Sequence, residues 1–267
     1  MNRRFHKMHG LGNDFVIFDA RENAVEMDEA RARAIADRKT GIGCDQLILL
    51  EPSSRADVKM RIFNNDGGEV GACGNVTRCV ALLLGGDTSI ETEGGLISGS
   101  AREGAAVADM GEPRFGWQDI PLAYAMDTET MPVGWGPLEN PVAINVGNPH
   151  VIFFVDDADA IDLEALGPQI ERDPLFPQRV NVNVASVEEG AIRLRVWERG
   201  AGLTRACGTG ACATAVAAIR RKLATSPAEV RLPGGTLHIE WAPGESIKMT
   251  GPATHVFTGE LDLEEFR

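Results

Sequence analysis

The segment MRIFNNDGGEVGACGN from Met60 lies without a gap over LRVWERGAGLTRACGT from Leu194, and both end in Ala-Cys-Gly ahead of an apolar run. Arg61, Gly68, Ala72, Cys73 and Gly74 thereby fall on Arg195, Gly202, Ala206, Cys207 and Gly208, each 134 residues further on. Other blocks return in the same order. Gly12, Asn13, Val16, Ile17 and Phe18 reappear as Gly147, Asn148, Val151, Ile152 and Phe153, and Gly94-Gly95 with Met110-Gly111 reappears as Gly234-Gly235 with Thr250-Gly251. A chain of this kind is one supersecondary unit used twice. The expected domains are residues 1–116 and 117–253, with the tail 254–267 left to pack with the first. Each is of ordinary domain size and can bury its own core.

Strand patterns dominate both copies. Residues 58–63 and 192–197 alternate or run apolar over strand length and stop at polar or Gly-rich turns, and 46–50, 106–110, 151–155, 182–187, 237–241 and 247–250 read likewise. Residues 28–39 and 162–172 read as amphipathic surface helices, each opening with an Asp suited to the positive end of the helix dipole. The runs after the two Ala-Cys-Gly segments differ in kind. Residues 80–84 and 211–219 carry no charged face, so helices formed there must be buried on every side. A sheet wrapped around each such helix satisfies that demand. The expected fold is α+β: two pseudo-symmetric domains, each a mainly antiparallel β-barrel around a central apolar helix. Residues 116–141, rich in Pro and Gly, read as the connection.

Composition narrows the function. A net charge of −13 argues against nucleic acid, which requires a basic surface. No apolar stretch reaches about 18 residues, and residues 1–12 carry charges where a secretory leader would be apolar, so a cytoplasmic protein without a membrane partner is expected. Five cysteines form no dense, even framework and are expected as free thiols, with Cys44, Cys79 and Cys212 as packing residues. The histidines His6, His9, His150, His238 and His255 show no ligand spacing, and no nucleotide fingerprint follows a strand, so neither metal nor cofactor is expected.

The paired thiols carry the chemistry. A cysteine at a helix N-terminus feels a partial positive charge that lowers its pKa, and the same amides bind a carboxylate. Cys73 and Cys207 therefore read as a pair set about one tetrahedral carbon, where one removes a proton and the other delivers one. A lone Cys-Gly before a helix would read as a packed small residue. Its recurrence at one offset changes that reading.

KMHGLGNDF from Lys7, GIGCDQL from Gly41, RIFNNDGGEV from Arg61, ACGNVTRC from Ala72, GNPH from Gly147, RVN from Arg179, WERGAG from Trp197 and ACGTGACA from Ala206 resemble, in order and spacing, the blocks of the diaminopimelate epimerases. The resemblance covers nearly the whole chain. It implies a pyridoxal-independent isomerase of lysine and peptidoglycan precursor biosynthesis, interconverting LL- and meso-diaminopimelate with Cys73 and Cys207 as the acid–base pair. It also implies that Gly74, Asn75, Gly208 and Thr209 cradle the reacting carboxylate, and that Asn13, Gln46, Asn64, Asn148, Asn181, Glu198 and Arg199 hold the substrate. His150 and Glu198 match positions that tune the thiols, and a homodimer is implied. Val76 departs from the small residue common after Cys-Gly-Asn, which raises the expectation of crowding at the carboxylate. Three other readings stay open: a two-cysteine racemase of a different amino acid, a thiol redox protein, and a binding protein without turnover.

Overall fold

The computed structural model describes residues 2–71, 74–102 and 105–266. The chain forms two compact units, one of residues up to Ala108 together with those from Gly251, the other of Asp109–Thr250. In the first unit β1 (Asn2–Gly10) and β2 (Asn13–Asp19) pair antiparallel, and α1 (Glu29–Ala36) crosses to β3 (Gln46–Glu51), which lies parallel to β2. The chain reverses through β4 (Val58–Asn64) and β5 (Glu69–Val70) into α2 (Gly74–Leu84). Then β6 (Asp87–Thr92) runs parallel to β4, β7 (Gly95–Arg102) returns antiparallel, and β8 (Ala105–Asp109) ends the copy.

The second unit inserts the hairpin β9 (Gly134–Trp135) and β10 (Leu138–Glu139), then repeats the order. Its elements are β11 (Val142–Asn145), β12 (Pro149–Phe154), α3 (Leu163–Glu171), β13 (Asn181–Glu188), β14 (Ala191–Glu198), β15 (Gly202–Thr204), α4 (Gly208–Arg220), β16 (Ala228–Leu232), β17 (Gly235–Glu240) and β18 (Lys248–Gly251). A closing strand, β19 (Thr254–Asp262), returns to the first unit and pairs antiparallel with β1.

The duplication extends to hydrogen-bond register. Ile62 faces Val70 and Phe63 faces Glu69, as Val196 faces Thr204 and Trp197 faces Leu203. Phe15 lies beside Gln46 on the parallel pair, as His150 lies beside Asn181. A one-residue slip would turn each strand's buried face to solvent, so a shared register means that the two copies bury equivalent positions.

α4 packs against β11, β12, β13, β14, β16 and β17, and its side chains from Gly210 to Ala218 are buried. Alanine at most of these positions lets strands approach on all sides. α2 lies against β1, β6, β7 and β19, and Gly99 on β7 is tight enough that an added Cβ would fall 2.9 Å from that of Ala81. Burial of α2 is less complete than the apolar run predicts. Gly74–Ala81 are buried, but Leu82 is 37% exposed, while Leu83 and Leu84 are partly buried against the core.

The surface helices start as their sequences require. The Asp28 carboxylate accepts from the Arg31 N–H at 2.8 Å, and that of Asp162 from the Ala165 N–H at 3.1 Å, each closing a free helix end. The stretch 116–141 is more than a connection: Ile120, Leu122, Met131 and Leu138 join Val151, Phe153, Val182 and Val184 in the core of the second unit.

Candidate active site

In the first unit α2 begins at Gly74, and Cys73 lies outside the described residues. Asn75, in the first turn, donates through Nδ2 to Asn13 Oδ1 at 3.2 Å and accepts at Oδ1 from Arg78 Nη2 at 2.9 Å. Its side chain is thus held from both ends. Asn13, the first residue of β2, donates onward to Asp45 Oδ2 at 3.0 Å, and Asp45 is gripped by Arg38 at 2.6 Å. Asp45 Oδ2 also accepts from the Asp14 N–H at 3.0 Å, which fixes the start of β2. A continuous polar chain therefore runs from the interior of α2 to the surface, with the wholly buried Arg78 at its inner end. On the adjoining strands Gln46 Nε2 donates to Asn64 Oδ1 at 3.0 Å, while Gln46 Oε1 is buried without a partner among the described residues.

Val76 does not crowd the helix end. Its side chain is buried with Met8, Phe15, Ile17, Ile48 and Val80 in the core beneath α2.

In the second unit Cys207 is the N-cap of α4, in extended conformation, with Sγ accepting from the Gly210 N–H at 3.4 Å. Gly208 and Thr209 open the helix, and the Thr209 hydroxyl lies 3.5 Å from Sγ. Asn148 donates to that hydroxyl at 3.3 Å, repeating the Asn75–Asn13 contact of the first unit. Behind it, Asn148 Oδ1 lies 2.9 Å from His150 Nε2, and His150 Nδ1 lies 3.1 Å from Asn183 Nδ2. An amide nitrogen can only donate, so Nδ1 accepts and the proton resides on Nε2, directed at Asn148. Burial pushes the His150 pKa down to about 3, and the ring is neutral. It reaches Cys207 only through Asn148 and Thr209.

The helix-end argument for a lowered thiol pKa fails at Cys207. Burial drives its pKa well above the ordinary thiol value, the negative charge of Glu198 pushes it further, and Thr209 and the Gly210 N–H only partly oppose them. Desolvation outweighs a dipole effect here, because a buried thiolate loses its water on all sides. Cys207 is held as a thiol. Cys44, Cys79, Cys207 and Cys212 are buried and stand in no disulfide.

Glu198 ends β14 and Arg199 opens the turn after it. Glu198 Oε1 accepts from the Thr204 hydroxyl at 2.5 Å, the Arg199 N–H donates to Asn181 Oδ1 at 2.9 Å, and the Arg199 guanidinium donates to the Gln178 carbonyl at 3.0 Å. Asn181 Nδ2 donates to the Pro149 carbonyl at 2.8 Å. The structure thus gathers Asn13, Gln46, Asn64, Gly74 and Asn75 in the first unit, and Asn148, His150, Asn181, Glu198, Arg199, Cys207, Gly208 and Thr209 in the second. Asp45, Arg78 and Asn183 join these networks without having been singled out from sequence. The signal for Asn183 was present, since the two-residue period of a strand puts it on the face of Asn181. Among the described residues no three His, Cys, Asp or Glu side chains converge as metal ligands would.

The fold is shared with solved structures of low sequence identity. A PhzF-family phenazine biosynthesis protein from Bacillus anthracis superposes with a TM-score of 0.69 at 16% identity, covering 98% of this chain and 99% of that one. A hydroxyproline epimerase from Agrobacterium vitis gives 0.65 at 15% identity, covering 97% and 92%. Sequence comparison is more specific. The family model for diaminopimelate epimerase matches residues 5–116 and 142–256. Proteins named diaminopimelate epimerase from Rhizorhabdus wittichii, Sphingopyxis alaskensis and Zymomonas mobilis are 68%, 65% and 54% identical over 100% of this chain, covering 98%, 100% and 100% of their own lengths. The chain belongs to the diaminopimelate epimerase family.

Proposed function

We propose that the protein interconverts LL- and meso-diaminopimelate by a two-base mechanism. Inversion at a carbon requires deprotonation on one face and protonation on the other, hence one base and one acid. The observation that carries the reading is Cys207 as the N-cap of α4, held protonated by burial and by Glu198. It enters as the acid in one direction, and Cys73, at the equivalent position of the sequence, supplies the thiolate. The α-proton passes to one sulfur as the other gives its proton to the carbanion, and the reverse reaction exchanges the roles. The amides of Gly74, Asn75, Gly208 and Thr209 receive the carboxylate and stabilise the charge that grows on it. The Asn75 side chain, occupied by Asn13 and Arg78, contributes by fixing the first turn.

The distal amino-acid group falls to Asn64, Asn181, Glu198 and Arg199, with Arg199 suited to a bidentate carboxylate contact. Gln46 Oε1, buried with a lone pair to offer, suits an ammonium donor. His150 acts at a remove, orienting Asn148 and through it Thr209. No helix among the described residues is long and apolar enough to cross a membrane. The reaction belongs in the cytoplasm, where lysine and cell-wall precursors are made. A homodimer would form on β19, where Val256 and Phe257 are 53% and 48% exposed. Incubation with LL-diaminopimelate should yield the meso form without added cofactor, and no conversion would overturn the reading.

A further inference from the structure

The turn that ends β14 carries Glu198 and Arg199, and it is fastened from behind by a carboxylate outside the family motifs. Glu171, the last residue of α3, is almost wholly buried. Its Oε2 accepts from the Trp197 indole N–H at 2.8 Å, its Oε1 accepts from the Gly200 N–H at 3.1 Å, and the Arg179 guanidinium stands 3.6 Å from Oε1. Trp197 and Gly200 bracket Glu198 and Arg199. One side chain therefore holds both ends of the four-residue segment, while Asn181 holds the Arg199 N–H from the other side. The segment bends where Gly200 adopts a φ of +78°, and the Ala201 N–H donates to the Glu198 carbonyl at 3.0 Å. Trp197 is also fixed by shape, since a Cβ at Gly167 on α3 would sit 2.5 Å from its ring.

Among the described residues the first unit has no such fastening. There the counterpart of Trp197 is Phe63, whose side chain has no N–H and which lies in the same core cluster as Ile35 and Ala36 of α1. Asn64 and Asn65 stand where Glu198 and Arg199 stand in the second unit. A buried carboxylate with a shell of donors is costly to build, and among the described residues this one stands behind the turn that bears the charged pair.

We infer that Glu171 is a positioning residue that sets Glu198 and Arg199 for the distal amino-acid group of the substrate. The inference rests on the assignment of Arg199 to that group. Glutamine at 171 keeps the volume but presents an N–H to one of two donors, so either the indole or the Gly200 amide loses its acceptor.

The test is steady-state kinetics with LL-diaminopimelate. Glu171→Gln should raise KM about 10-fold or more, the worth of a hydrogen bond to a charged group, with kcat changed less than KM. Trp197→Phe, which installs the first unit's residue, should shift KM the same way by less, and it serves if Glu171→Gln does not fold. In an Arg199→Ala background, Glu171→Gln should have a clearly smaller further effect on KM, because part of its action passes through Arg199 and only the part through Glu198 remains. An unchanged KM in Glu171→Gln or Trp197→Phe with only a lowered melting temperature would overturn the inference, as would a full-sized effect in the Arg199→Ala background. If Arg199→Ala alone leaves KM untouched, the assignment of Arg199 falls instead.

Discussion

Phe15 and Ile48 in the first unit occupy the strand positions that His150 and Asn183 hold in the second, and all four are fully buried. One copy keeps an apolar floor under its helix. The other has a hydrogen-bonded relay there, running Asn183–His150–Asn148–Thr209 toward Cys207. The next layer follows from this choice. Val76 on α2 fills the space over an apolar floor, whereas its counterpart on α4 is Gly210, where an added Cβ would meet Asn183 Oδ1 at 2.7 Å. A duplicated scaffold thus keeps register and helix position while each copy selects the polarity beneath its own helix end. Symmetry places the two helix starts, and asymmetry sets what lies beneath them.

The largest effect expected is at the thiol itself. Cys207→Ala should lower the rate of inversion by about 10² to 10⁴, the usual loss for a positioned acid or base. A rate within a few-fold of the parent would break the equivalence of the two helix ends. Next comes the floor. Gly210→Ala should displace Asn183 and cost about 1–3 kcal/mol of stability, seen as a lowered denaturation midpoint, with a fall in kcat as the first turn of α4 shifts. No change in either would show that the relay leaves room above it.

The smaller effects concern the relay. His150→Phe alone deprives Asn183 and Asn148 of a partner and should cost about 1–3 kcal/mol, and adding Asn183→Ile to rebuild the first unit's floor should recover part of the loss. Strictly additive costs would show that the two side chains act independently. The same substitution changes pH dependence. His150 is depressed to about 3 from an ordinary 6.5, so the unfolded chain takes up its proton first as the pH falls. Stability is full above 6.5 and declines toward 3, by up to about 1.4 kcal/mol per pH unit. His150→Phe should flatten that acid limb in denaturation measured across this range.

Much of this was legible in the sequence, and particular residues show why. The constant offset from Cys73 to Cys207 required a duplication, and the runs flanking it required buried helices, because no charged face was available. Asp28 and Asp162 marked helix starts that the structure bears out. What stayed hidden depends on distance in three dimensions. The raised pKa of Cys207 comes from desolvation and from Glu198 at the end of β14, and local spacing reports neither. Arg78, an arginine inside an apolar helix, is held by Asn75 one turn away, yet only the packed core makes its burial apparent. The exposure of Leu82 beside the buried Ala81 is likewise a matter of packing.

The central claim, a separate acid and base on the two helix ends, is tested most directly by following the α-hydrogen of LL-diaminopimelate through inversion in D₂O. The account predicts meso product carrying solvent deuterium at the inverted carbon from the first turnovers. Product that retains the substrate's own hydrogen would mean a single group carries the proton between faces, and would contradict it.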